Sequence, residues 1–338
     1  MEEQTAVQEN TGSRQAETAF EPPKKRRINR SVLAENLWGW FFVCFLVIGT
    51  TAFIYFALVL SVWMSFTNYS NSSGTTLWEA LKHINPNGWD YWYKFMFSPE
   101  YTADGTALSG TGINERFWTT LLNAVIYMIG IPIGMALSLF LAVLLSRDIK
   151  GAGAFRVIYY IPTVASVVSI AVLWNNLFGN EGVIVELFGT RFLGGSAFMQ
   201  KVTVVIMTTW KGLGGSVLLL CAGLNGVNAS YHEAAQIDGA NAWRIFWRIT
   251  MPQLWPTIFY CIVTSVIGGM QIFSEPQLLY GSYLVGDASV DVTPFVGMIY
   301  GYYGQGNYAL SSALGVVLAV IIFLLTLVQF ALDKRRDA

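Results

Sequence analysis

Charged side chains are what this 338-residue chain has least of: Asp, Glu, Lys and Arg together make up 12% of it, about half the share of an ordinary soluble domain. With 54% hydrophobic residues beside them, that shortage excludes a soluble globule and places the chain among polytopic membrane proteins. Excess base is missing too. The 20 Lys and Arg are offset by 21 Asp and Glu, for a net charge of −1, so a nucleic-acid surface, which needs clustered excess positive charge, is excluded. Cysteine is rare: Cys44, Cys221 and Cys261 all fall in apolar segments with no CxxC or CxxH spacing. They read as small buried hydrophobes rather than as a disulfide framework or a metal site.

Catalytic signatures are absent as well. His232-Glu233 opens like the zinc-protease pattern His-Glu-x-x-His, but the fifth position is Gln236 and the other histidine, His83, lies in a distant loop. A metal hydrolase is excluded. No Gly-x-x-x-x-Gly-Lys-Ser/Thr occurs, and Gly214-Gly215-Ser216 lacks the lysine that holds phosphates, so the chain has no nucleotide site of its own. No catalytic residue, metal ligand or bound cofactor is assigned. Carboxylates are nearly missing from the apolar segments, with Glu275 at the edge of one. An ion-coupled secondary transporter usually places carboxylates in its spans, so that class is the weaker alternative.

What is present is a series of six apolar segments, each long enough to cross the roughly 30 Å hydrocarbon layer. They run from about Leu37 to Phe66, Phe117 to Leu145, Val157 to Phe178, Val202 to Gly226, Pro256 to Phe273 and Tyr308 to Leu332. The expected fold class is an all-α membrane protein of six transmembrane helices. Basic residues orient it: Lys24-Lys25-Arg26-Arg27, Arg30, Arg147, Lys150, Arg156, Arg244, Arg248 and Lys334-Arg335-Arg336 share one side if both termini are cytoplasmic. The domain division follows. Residues 1–36 form a disordered cytoplasmic tail, 37–116 the first span with an external loop, 117–332 a core of five spans, and 333–338 a short cytoplasmic tail. In the loop, Trp78, Trp89, Tyr91, Trp92 and Tyr93 suit an interfacial belt, a small folded cap or a partner surface.

Between the fourth and fifth spans, residues 230–257 are amphipathic and partly charged. Ser230 and Glu233 have the spacing of a capping box, which predicts a helix start. Gly239 suits the left-handed position that ends a helix, and Pro252 and Pro256 are expected to keep a second short helix from running into the next span. Trp243, Phe246, Trp247 and Thr250 follow the i, i+3, i+4, i+7 spacing of one helix face. Glu233-Ala234-Ala235, Asp238-Gly239-Ala240, Trp243, Phe246, Ile249, Pro252 and Pro256 together resemble the cytoplasmic "EAA" loop of permease subunits in bacterial ABC importers of the carbohydrate, or maltose-type, group. The likeness extends through Asn123, the short loop 151–156, Pro162, Ser166, Trp174-Asn175-Asn176-Leu177-Phe178, Glu181-Gly182 and Trp210, about two thirds of the chain. It departs at Leu278-Leu279-Tyr280-Gly281-Ser282-Tyr283, where many relatives have a Gly-Gly-Pro turn.

The resemblance implies the type I importer permease fold in a bacterial cell membrane, with residues 230–257 forming a coupling helix. Glu233, Ala234, Ala235, Asp238, Gly239 and Trp243 would then dock on a dimer of ATP-binding subunits, which carry the ATP and Mg. The other expected partners are a second permease subunit of different sequence, an extracytoplasmic solute-binding protein and membrane lipid. The same fold carrying a polyamine or another small solute is the alternative within the family. Sugar recognition needs polar groups for orientation and an aromatic face. The candidates are Thr163 in the third span, Thr208, Trp210, Lys211 and Gly212 in the fourth, and Ser265, Gly268 and Gln271 in the fifth. Thr163 and Ser265 could instead bond to their own helix. Lys211 is expected to pair with a carboxylate such as Glu275, to contact substrate, or to reach out to the interface. Gly130, Pro132, Gly134, Pro162, Gly212, Gly214, Gly215, Gly268 and Gly269 are expected either to break their helices or to let helices pack closely.

Overall fold

A computed structural model describes residues 30–67, 69, 76–82, 96, 115–146, 152–189, 192–281 and 292–336, and every regular element among them is helical. The chain divides into two compact units, one ending at Leu58 and one beginning at Val59. Helix α1 (Arg30–Thr50) starts inside the stretch expected to be tail, continues through a π-helical turn at Thr51–Tyr55 and passes into α2 (Phe56–Met64). The span so formed is Trp38–Met64. Residues 1–29, with Lys24-Lys25-Arg26-Arg27, lie outside the described residues, as do Trp89, Tyr91, Trp92 and Tyr93 of the expected external loop. Within that loop, α3 (Leu77–Lys82) opens on a capping box: the Glu79 carboxylate accepts the Thr76 N–H at 3.1 Å, and the Thr76 hydroxyl accepts the Glu79 N–H at 3.4 Å.

The second span is α4 (Glu115–Tyr127) followed by α5 (Gly130–Leu145), with a turn at Met128–Ile129 between them. Pro132 explains the turn. Its ring crowds the carbonyl four residues back, at Met128, and that carbonyl accepts the Ile131 N–H at 2.9 Å instead. The third expected span is two helices, α6 (Ala152–Val164) and α7 (Val167–Phe178), set at 100° across Ala165–Ser166 and followed by α8 (Val183–Phe188). Five described helical rods are therefore long and apolar enough to cross a membrane, and the sixth exists only if the bent pair counts as one span. Pro162 in the last turn of α6 removes one backbone donor there, and Ser166 turns out of the helical region at ψ 136.

The fourth span, α9 (Ala197–Asn225), runs unbroken through Gly212, Gly214 and Gly215. None of the three breaks the helix, and close packing holds at Gly214 but not at Gly212, where an added Cβ would meet nothing within 4 Å. A Cβ added at Gly214 would lie 2.8 Å from the Tyr159 carbonyl oxygen on α6, and one at Gly269 would lie 2.7 Å from Met128 on the second span. Those contacts outweigh a helix penalty of about 1 kcal/mol per glycine.

Beyond α9, α10 (Ala229–Ile237) is followed by α11 (Ala242–Ile245), a π-helical turn at Phe246–Thr250, and α12 (Met251–Met270). The last three are one continuous helical stretch, Ala242–Met270. Pro252 and Pro256 do not stop it, contrary to the expectation. Pro252 falls at the start of α12, just past the π turn, where the wider turn breaks the i→i−4 pattern that a proline would otherwise violate. Two helices follow that the apolar pattern did not announce, α13 (Ser274–Tyr280) and α14 (Phe295–Gly304), before the last span, α15 (Tyr308–Arg336). Pro294 before α14, with Phe295, Met298 and Tyr302 at i, i+3 and i+7, was the available signal.

Phe295 and Met298 pack with Phe117, Ala124, Met270 and Leu314 into one core cluster, which joins the second and last spans through α14. Tyr127, Trp174, Val204, Met207 and Ile272 form a second cluster, and Ala142, Val217, Leu220, Leu254 and Ile258 a third. The α9 helix contributes to both of the latter. The fold therefore predicts that two adjacent glycines of α9 behave differently. Gly214→Val, driven against Tyr159 and Thr163, should cost about 1 to 3 kcal/mol and lower the melting temperature. At Gly215 the nearest atom to an added Cβ is 3.8 Å away, so Gly215→Ala should leave melting unchanged or raise it.

Candidate functional site

A cavity of about 330 Å³ opens between the second, fourth and fifth spans and the start of α13. Ser138 comes to it from α5, Thr208, Thr209, Gly212 and Ser216 from α9, Ser265, Gly268 and Gln271 from the end of α12, and Glu275 from α13. Five pathway candidates, Thr208, Gly212, Ser265, Gly268 and Gln271, are thus brought together. At Gly212 and Gly268 an added Cβ would meet nothing within 4 Å, so here a missing side chain leaves room in the cavity. The hydroxyl of Thr208 donates to its own helix, to the Val204 carbonyl at 2.9 Å.

Thr163, Trp210 and Lys211 do not line the cavity. The Thr163 hydroxyl donates across to the Lys211 carbonyl at 2.9 Å, not back into α6. Trp210 packs 6.1 Å from the ring of Trp174, which itself stacks on Phe178 at 4.6 Å. The Lys211 ammonium is 2.7 Å from Glu275 Oε1. Of the three fates open to that lysine, pairing with Glu275 is the one the structure adopts.

The second span also walls the cavity: Gly130 and Gly134, singled out from the sequence as helix-weakening positions, stand there, together with Tyr127 and Ser138, which sequence reasoning missed. Ser138, a hydroxyl inside an apolar run, was the signal. It is fully buried, and its oxygen makes no hydrogen bond among the described residues. Tyr127 is held by its hydroxyl on the Val292 carbonyl, and Asn123 one turn earlier donates to the Thr293 carbonyl at 2.9 Å. The wall therefore offers hydroxyls, one side-chain amide and small apolar surfaces around space left by glycine. Its single Asp, Glu, Lys or Arg, Glu275, is neutralised by Lys211. Such a lining suits an uncharged, hydroxyl-rich solute.

At the other end of α9 lies the amphipathic loop. The helix α10 is capped by Asn228, whose Oδ1 accepts the Ser230 N–H at 3.0 Å. The expected capping box is thus displaced: Ser230 already lies within the helix, and Asn228 satisfies the orphan donor two residues earlier. Gly239 has φ +74, its N–H donates to Gln236 O at 3.0 Å, and the Ala240 N–H reaches Ala235 O at 2.9 Å. That pair of bonds is a Schellman ending, in which the left-handed residue is best a glycine. Asn241 then caps the next helix by accepting the Arg244 N–H at 2.8 Å. His232 on α10 shares a 3.2 Å hydrogen bond with the Thr250 hydroxyl in the π turn and so fixes the angle between the two helices. Glu233, Ala234 and Asp238 are exposed, as are Ile237 at 86% and Trp243 at 71%, with Trp243 edge-on to Trp247 at 5.6 Å.

Comparison with known proteins gives consistent likenesses. The chain is 31% identical to the probable ABC transporter permease protein YesP of Bacillus subtilis (strain 168), over 89% of this chain and 92% of that protein. It is 26% identical to the multiple sugar-binding transport system permease protein MsmF of Streptococcus mutans, over 90% and 98% of the two chains. Among solved structures, a chain of a bacterial alginate ABC transporter, in complex with an alginate pentasaccharide-bound periplasmic protein, superposes with a TM-score of 0.70 at 18% identity, covering 91% of this chain and 98% of that one. The fold is that of an ABC importer permease. Residues 130–338 match the family model for inner membrane components of binding-protein-dependent transport systems, and the chain belongs to that family.

Proposed function

We propose that the chain is the transmembrane permease subunit of an ATP-driven importer and forms the pathway for a sugar or oligosaccharide. The observation that carries the reading is the cavity between the second, fourth and fifth spans, walled by hydroxyls, Gln271 and the open space at Gly212 and Gly268. Sugar-transport relatives support it. A polyamine would need unpaired carboxylates, and Glu275 is already held by Lys211. The same pairing leaves that carboxylate unsuited to carrying a coupling proton or sodium ion, which weighs against a secondary transporter.

In this reading both termini and the 230–257 loop are cytoplasmic. Exposed Ile237 at the end of α10, with Trp243 and Trp247 on the helical stretch after Gly239, would meet a groove on a dimer of ATP-binding subunits, which hold the ATP and Mg. Glu233, Ala234, Ala235, Asp238 and Gly239 shape the turn that presents them. A second permease subunit completes the pathway, and an extracytoplasmic binding protein delivers the sugar. Membrane lipid covers the remaining apolar surface.

Three outcomes test this. Ala240→Cys in the assembled importer should be labelled by a membrane-impermeant maleimide in inside-out vesicles and not in intact cells; labelling in intact cells would invert the topology. Gly239→Val forces a Cβ into a left-handed position at a cost of about 1 to 2 kcal/mol. It should insert normally yet lose import and binding-protein-stimulated ATP hydrolysis, and normal values of both would remove the docking role. Gly268→Leu should fill the cavity and cut sugar uptake at least about tenfold with assembly intact, whereas unchanged uptake kinetics would place the pathway elsewhere.

A further inference from the structure

Lys211 stands at a junction of three elements. Its ammonium meets Glu275 Oε1 on α13 at 2.7 Å, and its backbone carbonyl accepts the Thr163 hydroxyl from α6 at 2.9 Å. Thr163 follows Pro162 directly and precedes the 100° bend of the third span by two residues. One residue of α9 is thereby bonded both to the hinge of the broken span and to the helix that follows the fifth. The far end of α13 returns to α9 as well, since the Tyr280 hydroxyl donates to the Gln200 carbonyl at 2.9 Å.

A seven-residue helix is too short to be stable by itself. It depends on these two attachments and on the burial of Pro276 and Leu279. Glu275 lines the cavity whereas Lys211 does not, and the two side chains are only 15% and 26% exposed. The lysine is therefore placed behind the wall.

We propose that Lys211 is a positioning residue, whose ammonium pins α13 to α9 beside the point where Thr163 ties the third-span hinge to the same helix, and so holds that wall of the cavity without itself contacting the sugar. The inference rests on the cavity's being the sugar pathway, but its energetic part can be tested separately. Removing one partner of a half-buried ion pair leaves an uncompensated charge, whereas replacing both by apolar groups of similar size is tolerated. A residue that donates hydrogen bonds to substrate could not be rescued by deleting its neighbour.

The experiment uses the assembled importer with its ATP-binding subunits, carrying Lys211→Met, Glu275→Met, or both. It measures uptake of a radiolabelled mixture of short gluco-, xylo-, arabino- and galacto-oligosaccharides, together with thermal melting. Each single variant should lose uptake about tenfold or more and melt several degrees lower. The double variant should return to within about threefold of the parent uptake and melt above both singles, a non-additivity expected of groups in direct contact. The reversed pair, Lys211→Glu with Glu275→Lys, serves if the apolar pair assembles poorly, and should also exceed either of its single variants. A double variant no better than the worse single, with additive melting shifts, would overturn the inference and return Lys211 to the substrate site. Absence of uptake in the parent importer alongside a non-additive melting cycle would sink the sugar reading instead and leave the pin standing.

Discussion

The close approach of the fourth span to the second and third is the contact on which the rest of the molecule depends. Lipid gives helices no hydrophobic reason to associate, so spans are held by shape and by small residues at their crossings. The β-carbon that Gly130 lacks would collide with Thr209, one at Gly134 would stand 3.2 Å from the same side chain, and Gly214 faces Tyr159 and Thr163. Bulk at these points would push α9 away from α5 and α6. The cavity borders the first of these crossings, since Gly130, Gly134 and Thr209 line it, and it opens at Gly212, two residues before Gly214, where an added Cβ would meet nothing. One residue type serves two ends, close contact at Gly130 and Gly214 and open space at Gly212.

The polar groups inside the spans follow a second rule. With little water to satisfy them, backbone groups freed by a break must find side-chain partners, and the bonds collect where helices stop. Asn123 and Tyr127 hold the carbonyls of Thr293 and Val292 just before α14, Ser311 donates to the Ile299 carbonyl at 3.0 Å between α14 and α15, and Thr163 bridges to Lys211 beside the third-span bend. Even Asp333, at the end of α15, accepts the indole N–H of Trp255 at 2.6 Å near the start of the fifth span. The scarce polar side chains thus act as tethers, and the same scarcity leaves the cavity wall with one carboxylate already paired.

The apolar runs made the long helices legible, because length and hydropathy are local properties of the chain. The loop's glycine was legible for the same reason, since φ +74 at Gly239 is a demand that only one residue type meets freely. What escaped depends on neighbours distant in sequence. Pro252 reads as a stop until the π turn at Phe246–Thr250 is known, and Ser230 reads as a cap until Asn228 is seen to accept the Ser230 amide itself. Glycine alone could not reveal whether it faced a helix or a void: Gly214 and Gly212 are two residues apart and differ completely in surroundings. Lys211 and Glu275 lie 64 residues apart, so the lysine was visible as anomalous while its partner was one of several possibilities. The place of Ser138 in the cavity wall was hidden because it sits in a run that otherwise reads as plain membrane helix.

The continuity of Ala242–Met270 gives the proposed docking step a mechanical path. A single 29-residue stretch spans about 1.5 Å per residue, so it carries the exposed Trp243 at one end and Gly268 at the cavity end on one rod. Had the prolines ended the first helix, as their positions alone suggest, a push on the loop would have been absorbed in a joint. Instead the stretch stays helical through Pro256, and its π turn is braced by His232 from α10 through Thr250. In the proposed docking step a displacement of the loop would pass along the fifth span, whose cavity end leads through the short segment Gln271, Ile272 and Phe273 into α13. There the motion meets the one attachment between α13 and α9 that is made of charges, and an ion pair keeps much of its attraction over a small separation where a packed contact loses it.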